Sequence, residues 1–277
     1  MNKTSLTEKL TRGILLAVFF VLSIFPIYWI IITSFKPVKD SVSVPIQYWP
    51  KHFTLENYSA VFRLTKFPVF FKNSLLVAVI VGAITVLLSI LAGYSLARFK
   101  FKGKSAVLLL FLVTQMIPVV VMIVPLFIVF NKLNLLDTLT GLVIPYTIIS
   151  IPFCTLMMVG FFKQVPVSIE ESASIDGCNR ISALFRIVVP VMLPGIVSTF
   201  VFAFIGAWNE FFFSVMFINS DEVKTIPVGL STFIQKVDVN WAMMSATAVI
   251  AMVPAVILFL IIQKYLIQGL SSGAVKG

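Results

Sequence analysis

Long apolar runs, nearly free of charge, dominate this chain and limit what it can become. They fall at about 13–35, 69–97, 105–130, 140–162, 190–218 and 241–266. Each is long enough to cross a hydrocarbon core of roughly 30 Å, which takes about 20 residues of helix. Of the 277 residues 59% are hydrophobic and 12% are charged, too little charge to cover a soluble surface of this size. Lipid offers no partner to a free backbone group, so every span is expected to be a helix. Pro118, Pro125, Pro145, Pro152 and Pro254 lie inside the blocks. They predict kinks and not breaks, because neighbouring helices can satisfy the freed carbonyls. The first run, Ile14 to Thr33, exceeds a signal-peptide core, and no small-x-small cleavage site follows it. It is therefore expected to remain as a span.

The formal net charge of +10 does not point to nucleic acid, because the cations flank the apolar blocks. Such cations hold cytoplasmic loops and meet anionic lipid heads. Arg98, Lys100, Lys102 and Lys104 crowd the loop between the second and third blocks, which marks it as cytoplasmic. With six spans the N-terminus (Lys3, Lys9, Arg12) then shares that side, as do the polar segment 163–189 and the tail 268–277. Segments 36–68, 131–139 and 219–240 are expected outside. The first of these holds Lys36, Lys39, Lys51, Arg63 and Lys66. Long loops cross with less regard to charge, so the topology stands. The whole of 1–277 reads as one membrane domain.

Chemistry of the catalytic kind has little to work with. Cys154 lies in an apolar block, Cys178 in a polar loop, and the single histidine, His52, in another loop. Neither a disulfide framework nor a metal site is suggested. No catalytic residue is expected, and no cofactor bound by this chain. Gly103-Lys104-Ser105 is not a phosphate loop, because Arg98 stands where that motif needs its first glycine. Hydrolysis of ATP is therefore not expected on this chain. Within the spans, Glu210 carries a charge that costs roughly 2.5–3.5 kcal/mol at mid-membrane. It either lines a cavity or gate, pairs with another helix, or simply lies near the outer interface. Gln115 is open in the same way between a cavity and an interhelical bond. Asn209 stands beside Glu210 as a further pathway candidate. Trp208 and Phe211–Phe213 either offer stacking faces to a ligand or simply pack.

The segment Val165-Pro-Val-Ser168-Ile-Glu170-Glu171-Ser172-Ala173-Ser174-Ile175-Asp176-Gly177 is the most informative. Ser168 followed by Glu171 has capping-box spacing and predicts a helix start. Glu170 and Glu171 suit a helix N-terminus. Ser172, Ala173 and Ser174 make the helix thin, and Gly177 suits the left-handed residue that ends it. Asn179 can cap a second helix, on which Ile181, Leu184, Phe185 and Val188 form an apolar stripe. A thin acidic helix fits a partner's groove, and its carboxylates can pair with cations there. An ordinary interfacial loop remains the competing reading. Gly269, Gly273 and Gly277 are spaced by four but lie in a polar tail, so a flexible tail resting on a partner fits better than a helix-dimer motif.

The pattern Glu171-Ser172-Ala173, then Gly177, then Ile187-Val188-Val189-Pro190 resembles the cytoplasmic signature of permease subunits of bacterial ABC importers. Ser172 and Val189 depart from the usual alanine and leucine while keeping size or apolarity. Phe53-Thr-Leu-Glu56-Asn57-Tyr58, Gly206-Ala-Trp208-Asn209-Glu210-Phe211 and the ending Gly269 to Gly277 are similar to the carbohydrate-uptake class, in particular the smaller permease of maltose-type importers. The resemblance implies an all-α polytopic protein of six transmembrane helices with a cytoplasmic coupling-helix loop, the transmembrane domain of a type I ABC importer. It implies that Glu170, Glu171, Ser172, Ala173, Asp176, Gly177, Ile187 and Pro190 dock into an ATPase. It likewise places Ser271, Ser272, Gly273, Lys276 and Gly277 against the ATPase pair. The implied partners are a second permease, by resemblance a related larger chain, two ATP-binding subunits holding ATP and Mg, and an external or periplasmic sugar-binding protein probed by 219–240. The location implied is a bacterial inner membrane. The alternative class is a secondary transporter driven by an ion gradient, which would want more buried ionisable residues than these spans hold.

Overall fold

The computed structural model describes the backbone of residues 6–234 and 239–274, with side chains over 7–231 and 239–263. Among these residues the chain is helical and forms no strand. Four helices are uninterrupted and apolar enough to span a membrane: α1 (Leu6–Ser34), α3 (Phe67–Arg98), α6 (Leu139–Gln164) and α13 (Trp241–Ala274). Short α2 (Glu56–Leu64) lies between the first two. The third block forms α4 (Lys104–Thr114) and α5 (Val119–Lys132), bent by 96°. The fifth is preceded by α8 (Arg180–Ala183) and a π-helical turn (Leu184–Val188), and is divided among α9 (Val189–Val191), α10 (Leu193–Asn209) and α11 (Phe212–Phe217). The Arg180–Val191 and Leu193–Asn209 pieces meet at 82°. With each bent pair taken as one span the spans number six. Helices α7 (Val167–Ile175) and α12 (Ile226–Ile234) complete the set.

Proline placement explains two departures from expectation. Pro118 was expected to kink a span, but it ends one. The residue before a proline is pushed out of the α region. Pro118 itself is extended (φ −61°, ψ 129°), so α4 stops at Gln115 and α5 leaves in a new direction. Pro26, Pro125, Pro145, Pro152 and Pro254 stay inside helices. The π turn has a related cause. Pro190 has no N–H, and its ring would strike the carbonyl of residue 186 in a regular α turn. The chain widens instead, with the Val189 N–H reaching back five residues to Leu184 O.

The chain divides into two compact units, Met1–Phe67 with Leu230–Val253, and Pro68–Gly229 with Pro254–Gly277. In the first, the end of α1 is closed by a side chain. Asn57, 3% exposed, donates to Ser34 O and Lys36 O, both at 2.8 Å, satisfying carbonyls that a helix end leaves orphaned. Tyr58 and Ser34 share a hydrogen bond of 2.7 Å, and Thr54 N–H donates to Phe35 O. The Phe53–Tyr58 motif is therefore a clasp on α1. Lys36 is buried, donates to Gln47 O, and lies 4.2 Å from the Trp29 ring centroid. Burial lowers its pKa from the usual lysine range, with Asp40 opposing. This cation of the 36–68 loop is spent inside the protein.

In the second unit α6 packs against α10, α4 and α11. Val86, Ile90 and Tyr94 of α3 meet Met158 and Phe162 of α6, along with Leu184, Val188 and Met192. A Cβ on Gly195 would meet the Phe161 ring at 2.5 Å, so glycine is what lets α10 approach α6 closely. Helix α13 continues to Ala274, where a flexible tail was expected.

Candidate functional site

Helix α7 is set between two proline effects. Val165, which precedes Pro166, is extended and ends α6 (φ −81°, ψ 121°). Pro166 then stands at the helix start with no side-chain cap. The expected capping box does not form. Ser168 lies within the first turn, and its carbonyl accepts Ser172 Oγ at 2.9 Å. Proline at the boundary presets the helical entrance, so no serine is needed there. The Ser174 hydroxyl likewise donates back to Glu170 O at 2.9 Å. Both hydroxyls are absorbed by the helix itself, which keeps it slim.

The C-terminus forms as expected. Gly177 has φ +82°. Its N–H donates to Ser174 O at 3.2 Å, and Cys178 N–H to Ala173 O at 2.9 Å, the paired bonds of a Schellman ending. Asn179 Oδ1 then accepts Ser182 N–H at 2.8 Å and caps α8. The apolar stripe expected beyond it is altered. Leu184 and Val188 are buried, but Ile181 is 72% exposed and Phe185 is also exposed. Ala183 before the π turn and Met192 after it complete the buried face instead.

The predicted docking residues separate into two sets. Glu171, Ser172, Asp176 and Gly177 are exposed, beside Ile175 at 86%. Ala173 is buried, Ile187 half-buried and Pro190 exposed. Glu170 is turned into its own chain. It accepts Arg98 Nε at 2.6 Å and Tyr94 O–H at 2.8 Å, with the two charged side chains only 11% and 13% exposed. Arg98 also donates to Val165 O at 2.8 Å. Sequence reasoning took Arg98 only as a topological cation and passed over Tyr94. Residue 98 and residue 170 are 72 positions apart, and nothing local pairs them. A cleft of about 290 Å³ opens here, lined by Tyr94, Arg98, Glu170, Glu171, Ser174 and Arg180, among others.

The pathway candidates stand at helix breaks. Gln115 is the exposed C-cap that follows α4, with Nε2 3.4 Å from Phe111 O. Asn209 is the exposed end of α10. Glu210 turns its carboxylate onto the next helix, accepting Phe213 N–H at 3.0 Å and Ser214 N–H at 3.3 Å. Trp208 is packed, stacked on Phe204 at 5.6 Å and edge-on to Phe71 at 5.6 Å. Phe213 is also buried. Side chains of Ser271, Ser272 and Gly273 fall outside the described residues, as do Lys276 and Gly277 entirely.

The two ends of α3 organise the loops of this unit. At its start Asn73 donates to Glu222 O and Lys224 O (2.9 and 3.0 Å), and Ser74 Oγ accepts Ile226 N–H at 2.8 Å. Asp137 joins the same group, its Oδ1 accepting from Asn219 N–H, Ser220 N–H and Ser220 O–H at 2.9–3.0 Å. At the other end, roughly 37 Å from Asn73 at 1.5 Å per residue, Arg98 meets α7.

Three comparisons bear on this arrangement. The sulfoquinovosyl glycerol transport system permease protein SmoH of Agrobacterium fabrum is 39% identical over 97% of this chain and 94% of its own length. The trehalose/maltose transport system permease protein MalG of Thermococcus litoralis is 34% identical over 93% of each. The crystal structure of a bacterial ABC transporter involved in the import of the acidic polysaccharide alginate matches the fold with a TM-score of 0.84, at 19% identity, over 96% of this chain and 99% of that one. A family profile matches residues 85–272, which hold the Glu171–Gly177 turn, α10 and the C-terminal part of α3 that carries Tyr94 and Arg98. The chain is a multi-pass membrane protein and belongs to the family of binding-protein-dependent transport system inner membrane components.

Proposed function

We propose that this chain is the permease subunit of an ATP-driven sugar importer, forms half of the translocation path, and takes its driving force through α7. The observation that carries this reading is the projecting acidic turn. Glu171 and Asp176 stay exposed on a short helix whose other face is anchored through Ala173, and Gly177 and Asn179 join it rigidly to α8. The turn ends in a break, not a straight extension, so a push on α7 reaches α10 through an 82° elbow. Relatives named for sulfoquinovosyl glycerol, trehalose or maltose, and diacetylchitobiose transport support a glycoside as the substrate. The spans hold few ionisable groups, which weighs against an ion-gradient mechanism.

Glu171, Asp176 and Gly177, with Ile187 and Pro190 behind them, dock against an ATP-binding subunit that holds ATP and Mg. Ser271 to Gly273, Lys276 and Gly277 lie near the pair of those subunits. Six spans make half of a pore, so a second permease, a related larger chain, completes it. An external sugar-binding protein delivers the substrate to the end where residues 219–226 lie. Both termini face the cytoplasm.

Affinity purification of the tagged chain in mild detergent tests this. The expected result is recovery of a second permease and an ATP-binding subunit, with the latter lost in Glu171→Lys. Full ATPase recovery with that variant would remove the docking claim.

A further inference from the structure

The Arg98–Glu170 pair raises a question that the docking turn alone does not answer. Glu170 and Glu171 are neighbours on α7, yet only Glu171 is exposed to a partner. Glu170 is held in a three-way junction. Arg98 ends α3, its guanidinium takes Glu170 by Nε, and its other arm takes Val165 O where α6 ends. Tyr94, one turn back on α3 and buried in the apolar cluster, donates to the second carboxylate oxygen. One short helix is thus bolted to the ends of two long ones. A partly buried charge pair with both carboxylate oxygens satisfied has a narrow geometry, and removing one member leaves the other charge without its partner.

We infer that Arg98 and Glu170 are positioning residues that make α3 a second route for force from α7 into the transmembrane helices, beside the α8–α10 elbow. The part of α3 between that junction and the Asn73 and Ser74 contacts with the 222–226 segment is roughly 37 Å long at 1.5 Å per residue. Motion of α7 would therefore be felt at both ends of α3 at once. Without the pair, α7 keeps its Schellman ending, its exposed acidic face and its link to α8, so docking survives while transmission weakens. The inference rests on the permease reading proposed above.

The test uses the whole importer purified with its ATP-binding subunits, with Cys154→Ser and Cys178→Ser in the background and Gln115→Cys as a reporter. The reading is the change in fluorescein-maleimide labelling at position 115 when ATP and vanadate trap the closed ATPase. Glu170→Gln and Arg98→Gln are expected to retain the ATPase subunits at wild-type ratio and to lose the nucleotide-driven change by at least about fivefold, the low end of usual coupling. Tyr94→Phe, which keeps the ion pair, should give a smaller loss. The double reversal Arg98→Glu with Glu170→Arg should recover at least half of the change, a rescue that a general loss of folding would not show. Wild-type labelling changes in both single variants would overturn the inference. So would loss of the ATPase subunits in Glu170→Gln, which would return Glu170 to the docking surface. If the unaltered chain brings down no ATP-binding subunit, the permease reading itself fails, and that is known before any variant is made.

Discussion

Gly177 sits at φ +82° with open space where a Cβ would project. The cost of a side chain there is therefore backbone strain alone, about 1–2 kcal/mol for an ordinary L-residue. Asparagine tolerates that region better than alanine, and valine worst. Thermal stability of the purified chain is expected to fall in the order Gly, Asn, Ala, Val, and ATPase recovery should follow the same order. Equal stability for all four would mean the turn takes another conformation. Asp137 is a second isolated case. Ser220 and Asn219 backbone N–H groups, with the Ser220 hydroxyl, hold its pKa below the ordinary 3.8. The ionised form is favoured in the folded chain, so its stabilisation is complete above pH 3.8 and is lost as pH falls through the lower folded value. Asp137→Asn should lower the melting temperature at neutral pH, and the gap to wild type should narrow below pH 3.8. Gly177 and Asn179 were legible in the sequence because a left-handed ending and an N-cap are decided within a few residues.

Helix breaks are where reading along the chain fell short. Each apolar block gave its helix, because hydropathy measures burial in lipid and lipid requires helices. It did not give the breaks at Gln115 and at Glu210, because a proline or a carboxylate in such a block can bend or end it depending on what receives the freed groups. Glu210 shows the receiver. Its two oxygens take the Phe213 and Ser214 N–H groups, so the carboxylate starts α11 while ending α10. None of the roles left open for Glu210 in the sequence named this capping of the helix that follows it. Glu210→Ala should cost about 0.5–2 kcal/mol, the usual worth of a helix N-cap. Glu210→Gln, which keeps one acceptor oxygen, should cost less. Thermal unfolding followed by fluorescence-detected size exclusion reads both, and an unchanged midpoint for the alanine variant would show that the cap carries no load. The π turn and the Arg98–Glu170 pair were illegible for another reason: one follows from a ring clash, the other joins residues far apart in sequence.

At the scale of the molecule, the loops of the Pro68–Gly229 unit sort themselves onto the two ends of α3. Asn73, Ser74, Asp137 and residues 219–226 share hydrogen bonds at one end. Arg98, Val165 and Glu170 share them at the other. From the charge of the 98–104 loop and the count of spans, segments 131–139 and 219–240 were expected on one side, and 98–104 and 163–189 on the other. The same grouping reappears in contacts that carry no charge rule, which supports the alternation of spans. Absolute direction needs a chemical probe, and the chain has one built in. Cys178 is half-buried beside Gly177, whereas Cys154 is buried in α6. A membrane-impermeant maleimide is expected to leave Cys178 unmodified in intact cells and to modify it once the membrane is opened, with Cys154 silent throughout. In a cysteine-free background, Lys102→Cys should behave as Cys178 does, and Asn219→Cys should react in intact cells. Four cations between Arg98 and Lys104 make the opposite orientation expensive, because each would have to cross the membrane against the usual retention of Lys and Arg in the cytoplasm. Reaction of Lys102→Cys in intact cells would place α7 outside, beyond the reach of any ATP-hydrolysing partner.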